Sequence, residues 1–136
     1  MRVRERRRRD SAAVPVAMDR RQRGQEAEER AAHYLESQGL TILARNFRRR
    51  AGEIDIVALD GTTLAIIEVR ARSSRDFGGA AASVGARKQR RLIRAAQLLL
   101  AAHPQWRSLP ARFDVIVEEG NGVDARMEWI RHAFTL

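Results

Sequence analysis

Hydrophobic and polar positions alternate along two neighbouring runs, Gly52 to Leu59 and Thr62 to Arg70, on either side of Asp60-Gly61. Side chains on a strand point to opposite faces in turn, and an Asp-Gly pair between two such runs signals a tight hairpin. With Asp60 and Gly61 as the loop residues, Asp55 falls opposite Ile66 and Glu53 opposite Glu68. Glu53, Asp55, Glu68 and Arg70 then share one face, while Ile54, Ile56, Ala65, Ile67 and Val69 share the other. Val57, Leu59, Leu64 and Ile66 make the acidic face itself largely apolar. The hairpin is therefore expected to be covered on both sides, with its acids clustered at one end.

On either side of the hairpin the spacing becomes helical. Between Arg20 and Gln38 an apolar stripe runs through Ala27, Ala31, Tyr34 and Leu35, and Gly39 stops the helix. Glu28 leads Ala31, Ala32 and Leu35 at helical spacing and lies on or beside that stripe. Glu26, Glu29, Arg30, His33 and Glu36 fall towards solvent. A second helix, Val84 to Ala102, carries the stripe Leu92, Ala95, Ala96, Leu99 and Ala102 and ends near His103-Pro104. Lys88 lies one turn ahead on the same stripe, and Arg87, Gln89, Arg90, Arg91 and Arg94 fan out around it.

Thr41 to Phe47 reads as a first strand, with Arg48-Arg49-Arg50 as its exit loop. Ala71 to Ser83 is a loop, rich in Arg, Ser, Gly and Ala, in which Gly78-Gly79 gives the backbone freedom and room for a ligand. Trp106, in the loop His103 to Pro110, either caps the core or stacks on a base. Arg112 to Glu118 is a fourth strand, and Met127 to Phe134 a short last strand or tail that packs Trp129 and Phe134; His132 has no evident partner. Helix, three strands, helix and one or two strands give an α/β fold, a mixed sheet flanked by helices.

A length of 136 residues suits one domain: a basic arm over 1–19 and a folded domain over 20–136. The arm either grips nucleic acid or is a solvated tail. The absence of cysteine excludes disulfides and zinc–thiolate sites, and fits a cytoplasmic protein. No apolar run approaches membrane-spanning length, and the start lacks the apolar core of a secretory signal, so no membrane partner is expected. The net charge of +9 matches a phosphate backbone better than a membrane surface, because no long basic amphipathic helix with a bulky apolar face accompanies it. Of the 26 basic residues only Lys88 is lysine. Arg48, Arg49 and Arg50 either contact phosphate or form a solvated turn. The same choice stands for Arg87, Arg90 and Arg91 on the second helix.

In the expected register Asp55 and Glu68 are diagonal neighbours, roughly 7–8 Å apart at the backbone, and can converge on one divalent cation. Carboxylates gathered on one face repel, so they call for a metal or arginine partners.

This arrangement resembles the Asp…Glu-x-Lys motif of the restriction-endonuclease-like nucleases. The wider sequence resembles one bacterial branch, the YraN-like family, related to Holliday junction resolvases. The matching pieces include Gly24…Ala27-Glu28, Arg45-Asn46-Phe47, Gly52-Glu53-Ile54-Asp55, Glu68-Val69-Arg70, the segment Phe77 to Val84, Lys88-Gln89 and Arg112-Phe113-Asp114-Val115. The resemblance implies a restriction-endonuclease-like αβββαβ core and an endonuclease acting on branched or distorted DNA. It further implies Mg²⁺ (or Mn²⁺) held by Glu28, Asp55 and Glu68, and a possible homodimer. Catalysis would fall to Asp55, Glu68, Arg70 and Lys88, with Arg48, Arg49, Arg50, Arg72, Arg87, Arg90 and Arg91 gripping nucleic acid. Arg70 departs from the lysine of the motif. An arginine cannot act as a base at neutral pH, although it can clamp a phosphate. Lys88 could supply the missing amine. The competing expectation is a binding module, for DNA or RNA, on a nuclease scaffold.

Overall fold

A computed structural model describes residues 16–72, 84–120 and 126–134. Helix α1 (Val16–Ser37) leads into a meander of β1 (Thr41–Arg49), β2 (Gly52–Asp60) and β3 (Thr63–Arg72). Helix α2 (Ala86–Ala102) and a 3₁₀ turn (Pro104–Trp106) follow, then β4 (Ala111–Glu119) and β5 (Arg126–Phe134). The strands lie in chain order in one five-stranded sheet, antiparallel throughout except for the parallel pair β3–β4, which α2 connects. This is the mixed sheet flanked by helices that the order of elements predicts.

Each helix covers one face. Ala31, Ala32 and Leu35 of α1 pack on Ile56, Ala58, Ala65, Ile67 and Ile116. Leu92, Ala95, Ala96 and Leu99 of α2 pack on Val57, Leu64, Ile66, Phe113, Val115 and Val117. Ala102, expected on the α2 stripe, is exposed in its last turn. The stop at the end of α1 is a left-handed Gly39 (φ 94°), with the Leu40 N–H donating to the Leu35 carbonyl at 3.1 Å.

Two boundaries differ from the sequence reading, and the last element, left open there as a strand or a tail, is settled. Helix α1 is already formed at Val16, four residues before Arg20, while residues 1–15 of the expected arm lie outside the described residues. Strand β1 runs on through Arg48 and Arg49, leaving only Arg50 in the turn. β5 is a full strand of nine residues paired along β4, not a tail. The segment around Gly78-Gly79 lies outside the described residues.

The hairpin turn also moves. Asp60 pairs with Thr63, so the loop residues are Gly61 and Thr62. Gly61 (φ 62°) takes the first loop position, where a type II′ turn needs a positive φ, whereas a loop begun at Asp60 as type I′ would force that residue into the left-handed region. The register slides by two residues, so strand parity is preserved. Asp55 is brought level with Glu68 instead of diagonal to it.

The end of the sheet beside this turn is closed by a buried polar network. The Asp114 carboxylate accepts from Arg112 Nε at 3.0 Å, Trp129 Nε1 at 3.0 Å and the His132 backbone N–H at 3.1 Å. Arg112 also donates to Asp60 at 2.7 Å, and the Arg131 guanidinium covers the Trp129 ring at 3.8 Å. Trp106 stacks on His103 and packs against the α2 side of the core, the capping role rather than a free base-stacking one.

Candidate active site

The β2–β3 ladder ends at Ile56↔Ile67, and the residue before it, Asp55, changes partner. Its carboxylate accepts the Val69 backbone N–H at 2.8 Å. A side chain thus supplies the acceptor that a continued ladder would have taken from the main chain, and the strands part there.

Across from this point, on β1, Asn46 is left-handed (φ 56°) although it is not glycine. The register brackets it against Asp55: Arg45 pairs with Ile56 and Phe47 with Ile54. On one side of this kink Ile56 packs under α1, and on the other Phe47 and Ile54 pack under α2. The two strands exchange faces at Asn46 and Asp55. The expectation of one uniform acidic face is corrected accordingly. Glu68 belongs to the α2 side with Leu64 and Ile66, whereas Glu53 lines a cleft beneath α1. Ile54 leaves the face it was assigned with Ile56.

The cleft has a volume of about 250 Å³ and is lined by Arg21, Glu28, Arg48, Glu53, Asp55 and Val69, among others. Asp55 is one of the lining residues and lies close enough to both neighbouring acids, Glu28 from α1 and Glu68 from β3, to interact electrostatically with them. Glu28 and Glu68 are both buried, at 7% and 9% exposure, and such burial disfavours a charged carboxylate. Burial first, then the charge of Asp55, pushes Glu68 up to about 7, against the pull of Lys88 and Arg70. Burial and then Asp55 raise Glu28 to about 6, while Arg45 and Arg48 oppose the shift. Asp55 is itself raised, by burial above all, with the Val69 N–H acting in the other direction.

Lys88, in the first turn of α2, reaches the far side of the pair, its Nζ 3.4 Å from Glu68 Oε2. Arg70 Nε stands 4.0 Å from the same oxygen. The structure therefore brings together Asp55, Glu68, Arg70 and Lys88, with Glu28 joining through Asp55. Among the described residues no three His, Cys, Asp or Glu side chains close on one point tightly enough to hold a metal ion as they stand. Glu28 and Glu68 approach Asp55 from opposite faces of the sheet.

The arginines expected to meet phosphate form two groups. Arg48 and Arg49, at the end of β1, and Arg50, in the turn that follows, are exposed; Arg48 lines the cleft and Arg49 lies over the Phe47 ring at 4.1 Å. Arg87, Arg90 and Arg91 are exposed on α2. The two groups are locked together at Gly52, where a Cβ would stand 2.3 Å from the Arg91 carbonyl oxygen. Arg72 is half-buried at the end of β3, its carbonyl accepting the Gly120 N–H at 3.2 Å.

Two participants were missed in the sequence. Arg21 lines the cleft from α1, and Arg45 on β1 faces Glu28 and Glu29. Arg45 stands within a motif, and its pairing beside Asp55 offered a signal once β1 and β2 were aligned. Arg30, assigned to solvent, forms a two-bond pair with the buried Glu118 at 2.5 and 2.8 Å.

No helix among the described residues is long and apolar enough to cross a membrane. The chain is 56% identical over 116 residues to a UPF0102 protein of Halorhodospira halophila, covering 85% of this chain and 89% of that one. It is 48% identical over 122 residues to a UPF0102 protein of Alcanivorax borkumensis, covering 89% and 98%. A third relative, from Xanthomonas campestris pv. campestris, is 50% identical over 123 residues, covering 90% and 98%. The profile described as "Uncharacterised protein family UPF0102" matches residues 27–117, which include Glu28, Asp55, Glu68 and Lys88. On the extent of these matches the chain belongs to the UPF0102 family, the YraN-like family that its motifs resemble.

Proposed function

We propose that the chain is a metal-dependent endonuclease that hydrolyses phosphodiester bonds in branched or distorted DNA. The observation that carries this reading is the meeting of Asp55 and Glu68 where the β2–β3 ladder stops, with an amine 3.4 Å from Glu68. Buried carboxylates of raised pKa in a cleft, beside a lysine, are groups arranged for chemistry more often than for stability.

The donors suit a hard divalent cation, Mg²⁺ or Mn²⁺, which takes carboxylate and carbonyl oxygens. Glu28 Oε1, buried without a hydrogen-bond partner, is consistent with that class of ligand. Asp55, Glu68 and the Val69 carbonyl would hold the ion, with Glu28 as a further donor. Such an ion supplies Lewis acidity at the phosphoryl oxygens and a lowered pKa for a water.

In the hydrolysis a water oxygen bonds to phosphorus, the bond to the leaving oxygen breaks, and a proton passes from the water to the leaving oxygen. Lys88 would orient the water and pass its proton on, a role open to an amine and closed to a guanidinium. Arg70 serves electrostatically, clamping the phosphate being cut. The exposed arginines of the β1–β2 turn and of α2, with Arg72, flank these groups and give the sequence-blind grip that a phosphate backbone calls for. The reading carries a cytoplasmic location, and a second copy where two strands are cut symmetrically.

A specific feature favours a second reading, a nucleic-acid-binding module without turnover. Arginine holds the place of the motif lysine, and Lys88 is already engaged by Glu68. Incubation of the purified chain with junction, flap, single-stranded and duplex DNA, with and without Mn²⁺, separates the two. Metal-dependent cleavage that Asp55→Ala abolishes upholds the enzyme. Binding without cleavage on every substrate leaves only the module.

A further inference from the structure

Asn46 is exposed on β1, an edge strand of the sheet, and stands across from Asp55 where the two strands exchange faces. Its left-handed backbone (φ 56°) is a conformation that glycine adopts freely and that asparagine and aspartate adopt more readily than other residues. The kink therefore calls for one of a short list of residues. Within that list it does not single out a carboxamide.

The side chain has a contact of its own. Arg48 Nη2 donates to Asn46 Oδ1 at 3.3 Å, and Arg48 lines the cleft together with Asp55. A guanidinium only donates, so the amide oxygen must face it and the NH₂ group, with its two donors, is turned away. Among the described residues that NH₂ group donates to nothing. With the one acceptor of the amide taken, Asn46 and Arg48 together present donors alone. A phosphodiester oxygen, which only accepts, is the complement of such a pair.

We propose that Asn46 is a substrate-binding residue whose NH₂ group donates to a phosphate oxygen of a nucleic-acid strand lying across Asp55, beside the charge of Arg48. The proposal rests on the nucleic-acid-binding part of the reading above, and holds for the enzyme and for the module alike. It adds a neutral, directional contact to a surface otherwise made of arginine charge.

Fluorescence anisotropy of a labelled four-way DNA junction titrated with the full chain, without divalent metal and at a series of salt concentrations, tests it. Asn46→Gly keeps the left-handed backbone, so its melting temperature should stay within about 4 °C of wild type. Its affinity should fall about tenfold at every salt concentration, as for the loss of a hydrogen bond to a charged acceptor. Because the lost group is neutral, the slope of log affinity against log salt should not change. A slope shallower by about one would mean that Arg48 had left a phosphate, and would overturn the role of Asn46. Asn46→Asp also suits the kink and still receives Arg48, so it serves should the glycine variant not fold. It should lose at least about tenfold, because an acceptor now faces the phosphate. Wild-type affinity in either variant overturns the role of Asn46 and leaves the nucleic-acid reading standing. A wild-type chain that does not bind the junction overturns both.

Discussion

Lys88 Nζ lies 3.4 Å from Glu68 Oε2, joining the first turn of α2 to the centre of the sheet. It is the lone lysine of the chain, and its partner is one of the two acids at the end of the β2–β3 ladder. The contact gives the amine two duties. It lowers the cost of the buried carboxylate, and under the proposed function it would also act on a water beside the phosphate being cut.

Lys88→Ala is expected to remove metal-dependent cleavage, by about 100-fold or more for a proton-transfer group, while duplex binding falls less than threefold. Cleavage rates and electrophoretic binding on the same preparation decide it. Equal losses in the two assays would reduce Lys88 to one more phosphate contact.

Glu68 sets a pH dependence with a definite sign. Its carboxyl is raised from an ordinary 4.5 to about 7, by burial and by Asp55. Between those values the folded chain retains a proton that the unfolded chain has released, so folding is favoured at the acid end and loses support as pH rises. Glu28, raised to about 6, adds in the same direction. In metal-free protein the stability gained by Glu68→Gln, relative to wild type, should therefore grow between about pH 5 and pH 7. Thermal unfolding at a series of pH values reads it, and a constant difference across that window would contradict the account.

Asp114→Ala should destabilise the fold by about 3–5 kcal/mol, because it strands the buried Arg112 and unties Trp129 and His132. Chemical denaturation measures the loss. The Asp55 end of the sheet should be spared, so any Mn²⁺ binding there, measured well below the melting point, is expected to stay within twofold of wild type. A loss below about 1 kcal/mol would mean that β5 is held by its ladder with β4 alone.

Gly52→Ala tests the packing between α2 and the β1–β2 turn. The added methyl would lie 2.3 Å from a main-chain oxygen that no rotamer change can move, so helix or turn must shift. A cost of about 1–3 kcal/mol is expected, with weakened duplex binding at fixed salt. Wild-type stability would show that the two elements yield freely.

The hairpin was legible because strand parity survives the error made in its turn. Moving the loop from Asp60-Gly61 to Gly61-Thr62 slides the register by two, so Glu68 and Arg70 keep their face. The helical stripes were legible for the same reason, as Ala31, Leu35, Leu92 and Leu99 repeat at the helical period. The crossing at Asn46 was not, because a positive φ outside glycine leaves no mark in composition, and it sent Glu53 and Ile54 to the opposite faces. Nor was the Arg30–Glu118 pair, whose members are 88 positions apart. Arg112 and Asp114 were visible only as motif letters, since their network is closed by Trp129 and Asp60 from other strands.

The close approach at Gly52 also fixes a distance. Main chain meets side-chain-free main chain there, so the spacing of the β1–β2 turn from α2 is independent of any rotamer. Arg48 to Arg50 and Arg87 to Arg91 thus form the two jaws of a rigid caliper. Under the proposed function, a polyanion spanning both would have to match that gap, and a strand whose phosphates are spaced differently would engage only one.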